Sequence, residues 1–149
     1  MIENFLINFF NTYGAFLVII FAFFYLIMAD GSRLVIFFIA MAATVFFTSL
    51  IKELFLLPRP FFLNGNFPSA GLNSFSGFPS LHTSISFSAS TFVFFVNQKF
   101  GIISFLVSLI FGIGRIYSNV HYPIDILIGA FLGIFVALFF ENIRIKKRT

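Results

Sequence analysis

The chain has 149 residues, 60% of them hydrophobic and 9% charged, with a mean hydropathy of +1.06 and a net charge of +4. Soluble domains carry about 25% charged residues, so this composition excludes a water-soluble domain and points to a single integral-membrane domain over residues 1–149. The lack of cysteine excludes disulfides, zinc–thiolate sites and iron–sulfur clusters. The positive charge does not call for nucleic acid, because Arg144, Lys146, Lys147 and Arg148 supply most of it as a short tail behind an apolar segment. Such a tail faces the cytoplasm and its anionic lipids.

A bilayer core takes about 20 apolar residues per helix. The first candidate span covers residues 5–28; the chain ahead of it, Met1-Ile2-Glu3-Asn4, has no basic region and is not read as a cleaved signal peptide. The second covers 34–57, with Lys52 and Glu53 near its end. Residues 58–78 form the one long connection, rich in Asn, Ser, Gly and Pro, and its five Phe residues suit a lid or an interfacial anchor equally well. The third span, 79–97, carries Ser84, Ser86, Ser88, Ser90 and Thr91, and its hydroxyls place it inside the bundle, bonded to its own helix or a neighbour. The fourth covers 102–120 and the fifth 123–140; Pro79 and Pro123 fit first-turn positions, where a missing N–H costs nothing. The expected fold is therefore all-α, a polytopic membrane bundle of about five transmembrane helices. Alternating passes put Arg33, Lys99 and the basic tail on one side, which the positive-inside rule makes cytoplasmic, and the N-terminus outside.

Lys52, Arg59 and Arg115 then fall at the outer ends of spans, against that rule. They share that edge with Glu53, Asp125 and both histidines of the chain, His82 and His121. Ionisable groups at membrane depth are functional candidates by default. Three strings carry the set. In Lys52-Glu-Leu-Phe-Leu-Leu-Pro-Arg59-Pro60 the seven-residue spacing is nearly two helical turns, so both cations are expected on one face, suited to a dianion. Phe78-Pro79-Ser80-Leu81-His82 opens the third span, where backbone N–H groups and the helix dipole attract anions, and Ser80 is either a plain N-cap, a further donor, or both. In Gly114-Arg115-Ile-Tyr-Ser-Asn-Val-His121-Tyr-Pro-Ile-Asp125 the carboxylate four residues after His121 can hold one imidazole nitrogen and leave the other more basic, the orienting logic of a catalytic triad. For Glu53, a structural ion pair is expected ahead of a substrate or proton role.

Lysine, six residues, Arg-Pro; then Pro-Ser-x-His; then Arg, five residues, His, three residues, Asp: this order and spacing resembles the three-part signature of the type 2 phosphatidic acid phosphatase superfamily, over Lys52 to Asp125. Two positions depart from it, Leu81 where the family has Gly and Gly114 where it has Ser, and both bear on substrate fit more than on proton transfer. The family commonly has six spans against five here. The resemblance implies that Lys52, Arg59, Ser80, the Leu81 backbone and Arg115 bind phosphate. It implies that His121 is the nucleophile, Asp125 orients it, and His82 protonates the leaving oxygen and then activates water. It also implies no metal and no other cofactor. The implied partner is a lipid phosphate substrate among membrane lipids: undecaprenyl diphosphate or phosphatidylglycerol phosphate foremost, with phosphatidic acid and a lipid A phosphate as further candidates. The alternatives are a non-enzymatic protein that binds or transports lipid phosphates, a vanadate-dependent haloperoxidase, against which the hydropathy argues, and a structural subunit using Gly129-x-x-x-Gly133 for helix contact.

Overall fold

The computed structural model describes residues 2–65 and 75–146, so 66–74 of the expected 58–78 loop lies outside the described residues. Among the described residues the regular elements are all helical: α1 (Ile2–Asp30), α2 (Leu34–Leu54), the short α3 (Pro60–Asn64), α4 (Leu81–Val96), α5 (Gln98–Tyr117) and α6 (Pro123–Lys146). Three stretches are long and apolar enough to cross a membrane: Tyr13–Leu54, Gln98–Tyr117 and Pro123–Lys146. The first, 42 residues long, is folded in two by a 3-10 turn at Gly31–Arg33. The ring contacts show the fold-back. Phe16 meets His82 and Tyr25 meets Phe100, so α1 runs alongside α4 in the same direction. Phe37 meets Phe92 and Thr44 bonds Ser88, so α2 returns the opposite way.

Helix α4 is the axis of the bundle. Every residue from Thr83 to Val93 is buried, because α1, α2, α5 and α6 all pack on it. Its 16 residues rise about 24 Å, short of a full bilayer core of about 30 Å; it is shielded from lipid by its neighbours. That explains its hydroxyls. Thr91 bonds back to the Phe87 carbonyl and Ser90 to that of Ser86, while Ser90 also meets Ser104 and Ser108 of α5 at 2.7 and 3.1 Å. The exposed apolar surface is instead Phe, Leu, Ile and Val, as at Phe24, Val35, Ile110, Leu127 and Phe131.

The Gly129-x-x-x-Gly133 pair is spent within the chain. A Cβ on Gly129 would stand 2.7 Å from the Ser80 carbonyl oxygen, and one on Gly133 would collide with that of Ser84. The two glycines thus let α6 lie directly on the α4 backbone. The contact also brings the N-termini of the two helices together, where the Ser80 N–H donates to the Asp125 carbonyl (3.0 Å).

The helix ends differ from expectation where prolines and caps act. α2 stops at Leu54 rather than 57, with extended chain through Pro58 into Pro60, the first residue of α3. Pro79 does not occupy a first turn: Ser80 is the N-cap of α4, and Pro79 precedes it. Pro123 does open α6. At the end of α5, Asn119 takes a left-handed conformation (φ 54°), which Asn tolerates. The chain therefore reverses after Tyr117 instead of continuing to 120.

Candidate active site

The turn after α5 aims His121 inward. The N–H groups of Val120 and His121 both donate to the Arg115 carbonyl, and the imidazole is 2% exposed. Asp125, in the first turn of α6, completes the setting. Its Oδ2 lies 3.2 Å from His121 Nδ1 and accepts the Tyr122 N–H at 2.8 Å. Arg59 Nη1 stands 3.4 Å from His121 Nε2 and donates to the Val120 carbonyl at 3.1 Å. These partners fix the tautomer. A carboxylate accepts, so Nδ1 carries the proton; a guanidinium donates only, so Nε2 keeps its lone pair. Burial pushes the His121 pKa below the ordinary histidine value, and Arg115 and Arg59 push the same way. The Asp125 hydrogen bond raises it, as expected, but does not prevail. The ring is thereby held neutral, with Nε2 facing a cation.

Arg59 reaches this place by a route the helical spacing did not anticipate. It is not on a helix with Lys52, because α2 has ended and the flanking prolines hold the chain extended. The fold-back buries Arg59 beside His121, while Lys52 remains half-buried at the last turn of α2. Lys52 Nζ donates to the Ser76 and Gly77 carbonyls at 2.9 and 3.4 Å, tying α2 to the segment that leads into Pro79. The two cations still flank one segment: Lys52 bonds the Gly77 carbonyl, and a Cβ on Gly77 would stand 3.1 Å from the Arg59 side chain.

Arg115, in the last turn of α5, is buried and borders a small cavity together with His82, Thr83, Ser86 and Ser108. Ser80 is fully buried and its Oγ accepts from Thr83. The first helical bond of α4 is Ser84 N–H to the Ser80 carbonyl, so the N–H groups of Leu81, His82 and Thr83 lie ahead of the helical ladder, the arrangement that receives anions. The Ser80 N–H is occupied by Asp125 and is not among those donors. Lys52, Arg59, Ser80, Leu81, His82, Arg115, His121 and Asp125 therefore gather at one end of the bundle. Glu53 does not join them: it is exposed, and among the described residues it forms no ion pair, contrary to expectation.

The opposite end holds a charged cluster that the motif reading passed over. Glu141 is completely buried in α6, and its Oε1 pairs with Arg33 and with Arg144 at 2.8 Å; Arg33 also pairs with Asp30 at 2.7 Å. This joins the α1–α2 turn to α6. A carboxylate directly abutting the fifth apolar span, at Glu141 after Phe140, was its signal in the sequence. Among the described residues, no three His, Cys, Asp or Glu side chains come together as a metal site would require.

The fold and this cluster define a polytopic helical membrane protein with a cationic, histidine-bearing site at one end. The family model of the PAP2 superfamily matches residues 33–148, and the chain belongs to that superfamily. The crystal structure of LpxE from Aquifex aeolicus shares the fold, with a TM-score of 0.74 at 21% identity over 95% of this chain and 86% of that one. The bacitracin transport permease protein BcrC of Bacillus licheniformis is 42% identical over 64 residues, 43% of this chain. The match spans about a third (32%) of that relative's length.

Proposed function

We propose that this protein is a metal-independent lipid phosphatase of the membrane that hydrolyses a lipid phosphate or diphosphate through a phosphohistidine at His121. The carrying observation is the Asp125–His121–Arg59 alignment, a neutral imidazole with Nδ1 on a carboxylate and Nε2 toward a guanidinium.

In the first step the Nε2 lone pair attacks phosphorus and forms an N–P bond. The P–O bond to the lipid breaks, and His82 donates a proton to the leaving oxygen. Asp125 stabilises the positive ring. Lys52, Arg59, Arg115 and the first N–H groups of α4 hold the phosphoryl oxygens, a fixed electrostatic environment that builds no reorganisation into the step. In the second step His82 takes a proton from water, the water oxygen attacks phosphorus, and the N–P bond breaks to release phosphate and restore His121. Membership of the superfamily supports this reading. The site faces the outer membrane edge with the C-terminus cytoplasmic, as the distribution of cations favours. Undecaprenyl diphosphate and phosphatidylglycerol phosphate are the foremost substrates, ahead of phosphatidic acid.

The Bacillus relative is named a transport permease, which favours a second reading, that the anion site serves binding or transport of a lipid phosphate without hydrolysis. Transport needs the cations but not a buried His–Asp pair. Phosphate release from a panel of these lipids in detergent, with chelator present, separates the two. Wild type releases phosphate and His121→Ala does not; equal release by both removes His121 as nucleophile, and loss of release on chelation removes metal independence. Transport without any release favours the second reading.

A further inference from the structure

A groove of about 260 Å³ runs between α1 and α5, lined by Leu17, Val18, Phe21, Ile103, Val107 and Phe111. That is just below the range of about 300–1,000 Å³ that pockets for whole drug-sized ligands occupy, room for a single chain rather than a bulky group. Phe111 is shared: it also borders the small cavity that holds His82 and Arg115. Its ring can stand there because α1 offers Gly14 opposite, where a Cβ would lie 2.6 Å from the ring. One aromatic side chain thus separates the cationic site from the apolar groove. From Phe111 to Ile103 is eight residues of α5, about 12 Å along the helix, most of one leaflet of a hydrocarbon core about 30 Å thick. The groove follows the direction in which a lipid tail hangs from its headgroup, and its upper end, at Phe111, adjoins the cavity bordered by His82 and Arg115.

We infer that the α1–α5 groove is the tail subsite, holding the hydrocarbon chain of the lipid whose phosphate meets His121, with Phe111 as the wall between headgroup and tail. This rests on the phosphatase reading for the headgroup, and on the continuity of groove and site for the tail. A second copy of the chain is the lesser fit, since packing another helix there gives no reason for the groove to end at the cationic site.

The test uses a non-hydrolysable phosphonate lipid with a diazirine midway along its tail, photolysed on the full chain in nanodiscs. The expected label falls on residues 17–21 and 103–111, and an excess of unlabelled phosphonate reduces it at least fivefold, whereas the neutral alcohol with the same tail does not. Label spread equally over the α6 surface at Phe131 and Phe135, label that phosphonate does not displace, or cross-links between two copies at the groove each overturn the subsite. A kinetic measurement stands beside it. Val107→Trp, which fills the groove, lowers kcat/KM for a long-tailed lipid phosphate at least tenfold relative to a short-tailed one, and Phe131→Trp on the outer face of α6 leaves that ratio at the wild-type value. An unchanged ratio in Val107→Trp also overturns the subsite. Displaceable label without phosphate release upholds the groove and defeats the hydrolase reading; phosphate release with no label at the groove does the reverse.

Discussion

Replacing Asp125 by Asn separates the geometry of the His121 setting from its charge. One carboxylate oxygen, Oδ2, takes both the His121 ring N–H and the Tyr122 backbone N–H. An Asn carbonyl oxygen in the same place accepts both, so the ring keeps its tautomer and orientation. What disappears is the negative charge against a ring that turns positive as the N–P bond forms. Asp125 is 2% exposed, so solvent screens that charge little. A hydrogen bond to a charged group contributes about 1.5–3 kcal/mol, and each 1.36 kcal/mol is tenfold in rate, which gives a fall in kcat of roughly 10- to 150-fold. The assay is single-turnover phosphate release from a detergent-solubilised lipid phosphate, with the phosphoenzyme trapped by alkaline quench. Its formation slows by the same factor while substrate binding holds. An Asp125→Asn protein within twofold of wild type, folded and with normal KM, refutes the role given to the carboxylate.

Three further outcomes are expected. Burial and the two arginines hold His121 neutral, so its ¹⁵N resonance titrates below the ordinary value of about 6.5. Because the Asp125 hydrogen bond raises that pKa, Asp125→Asn moves the titration lower still; a move upward contradicts the assignment. Glu141→Gln leaves Arg33 and Arg144 facing each other without the buried carboxylate. Breaking a buried pair on one side costs about 3–5 kcal/mol, seen as a lower unfolding midpoint in detergent, with kcat of the folded fraction retained. Gly133→Val drives a side chain into the Ser84 carbonyl. An overpacked core loses about 1–3 kcal/mol, and because α4 carries His82 and α6 carries Asp125, kcat falls as well; a stable, fully active variant shows that the α4–α6 contact is not what sets the site.

Much of this was legible in the sequence because membranes make sequences explicit. Apolar runs of bilayer length, an excess of cations on one side, and ionisable residues at depth are each expensive to place otherwise. They give the helices, the polar axis of α4 and the identity of the gathered residues. The local turn from Arg115 to Asp125 was also readable, since His121 and Asp125 are four residues apart at a helix start.

Other features depended on chain packing that spacing alone does not encode. Lys52 and Arg59 were expected on one helical face, but Pro58 and Pro60 end that helix, and Arg59 meets His121 through a fold-back across 62 residues of sequence. Gly129 and Gly133 could have served any neighbour; only the fold shows them pressed on Ser80 and Ser84. Asp125 was expected to make His121 more basic, yet burial decides the direction, and burial belongs to the assembled bundle. The sequence by itself determined which ionisable groups are present and which motifs carry them. The tertiary structure decided the nearest partner of each group, because hydrogen bonds and desolvation act over a few ångströms and those distances exist only once the helices are packed.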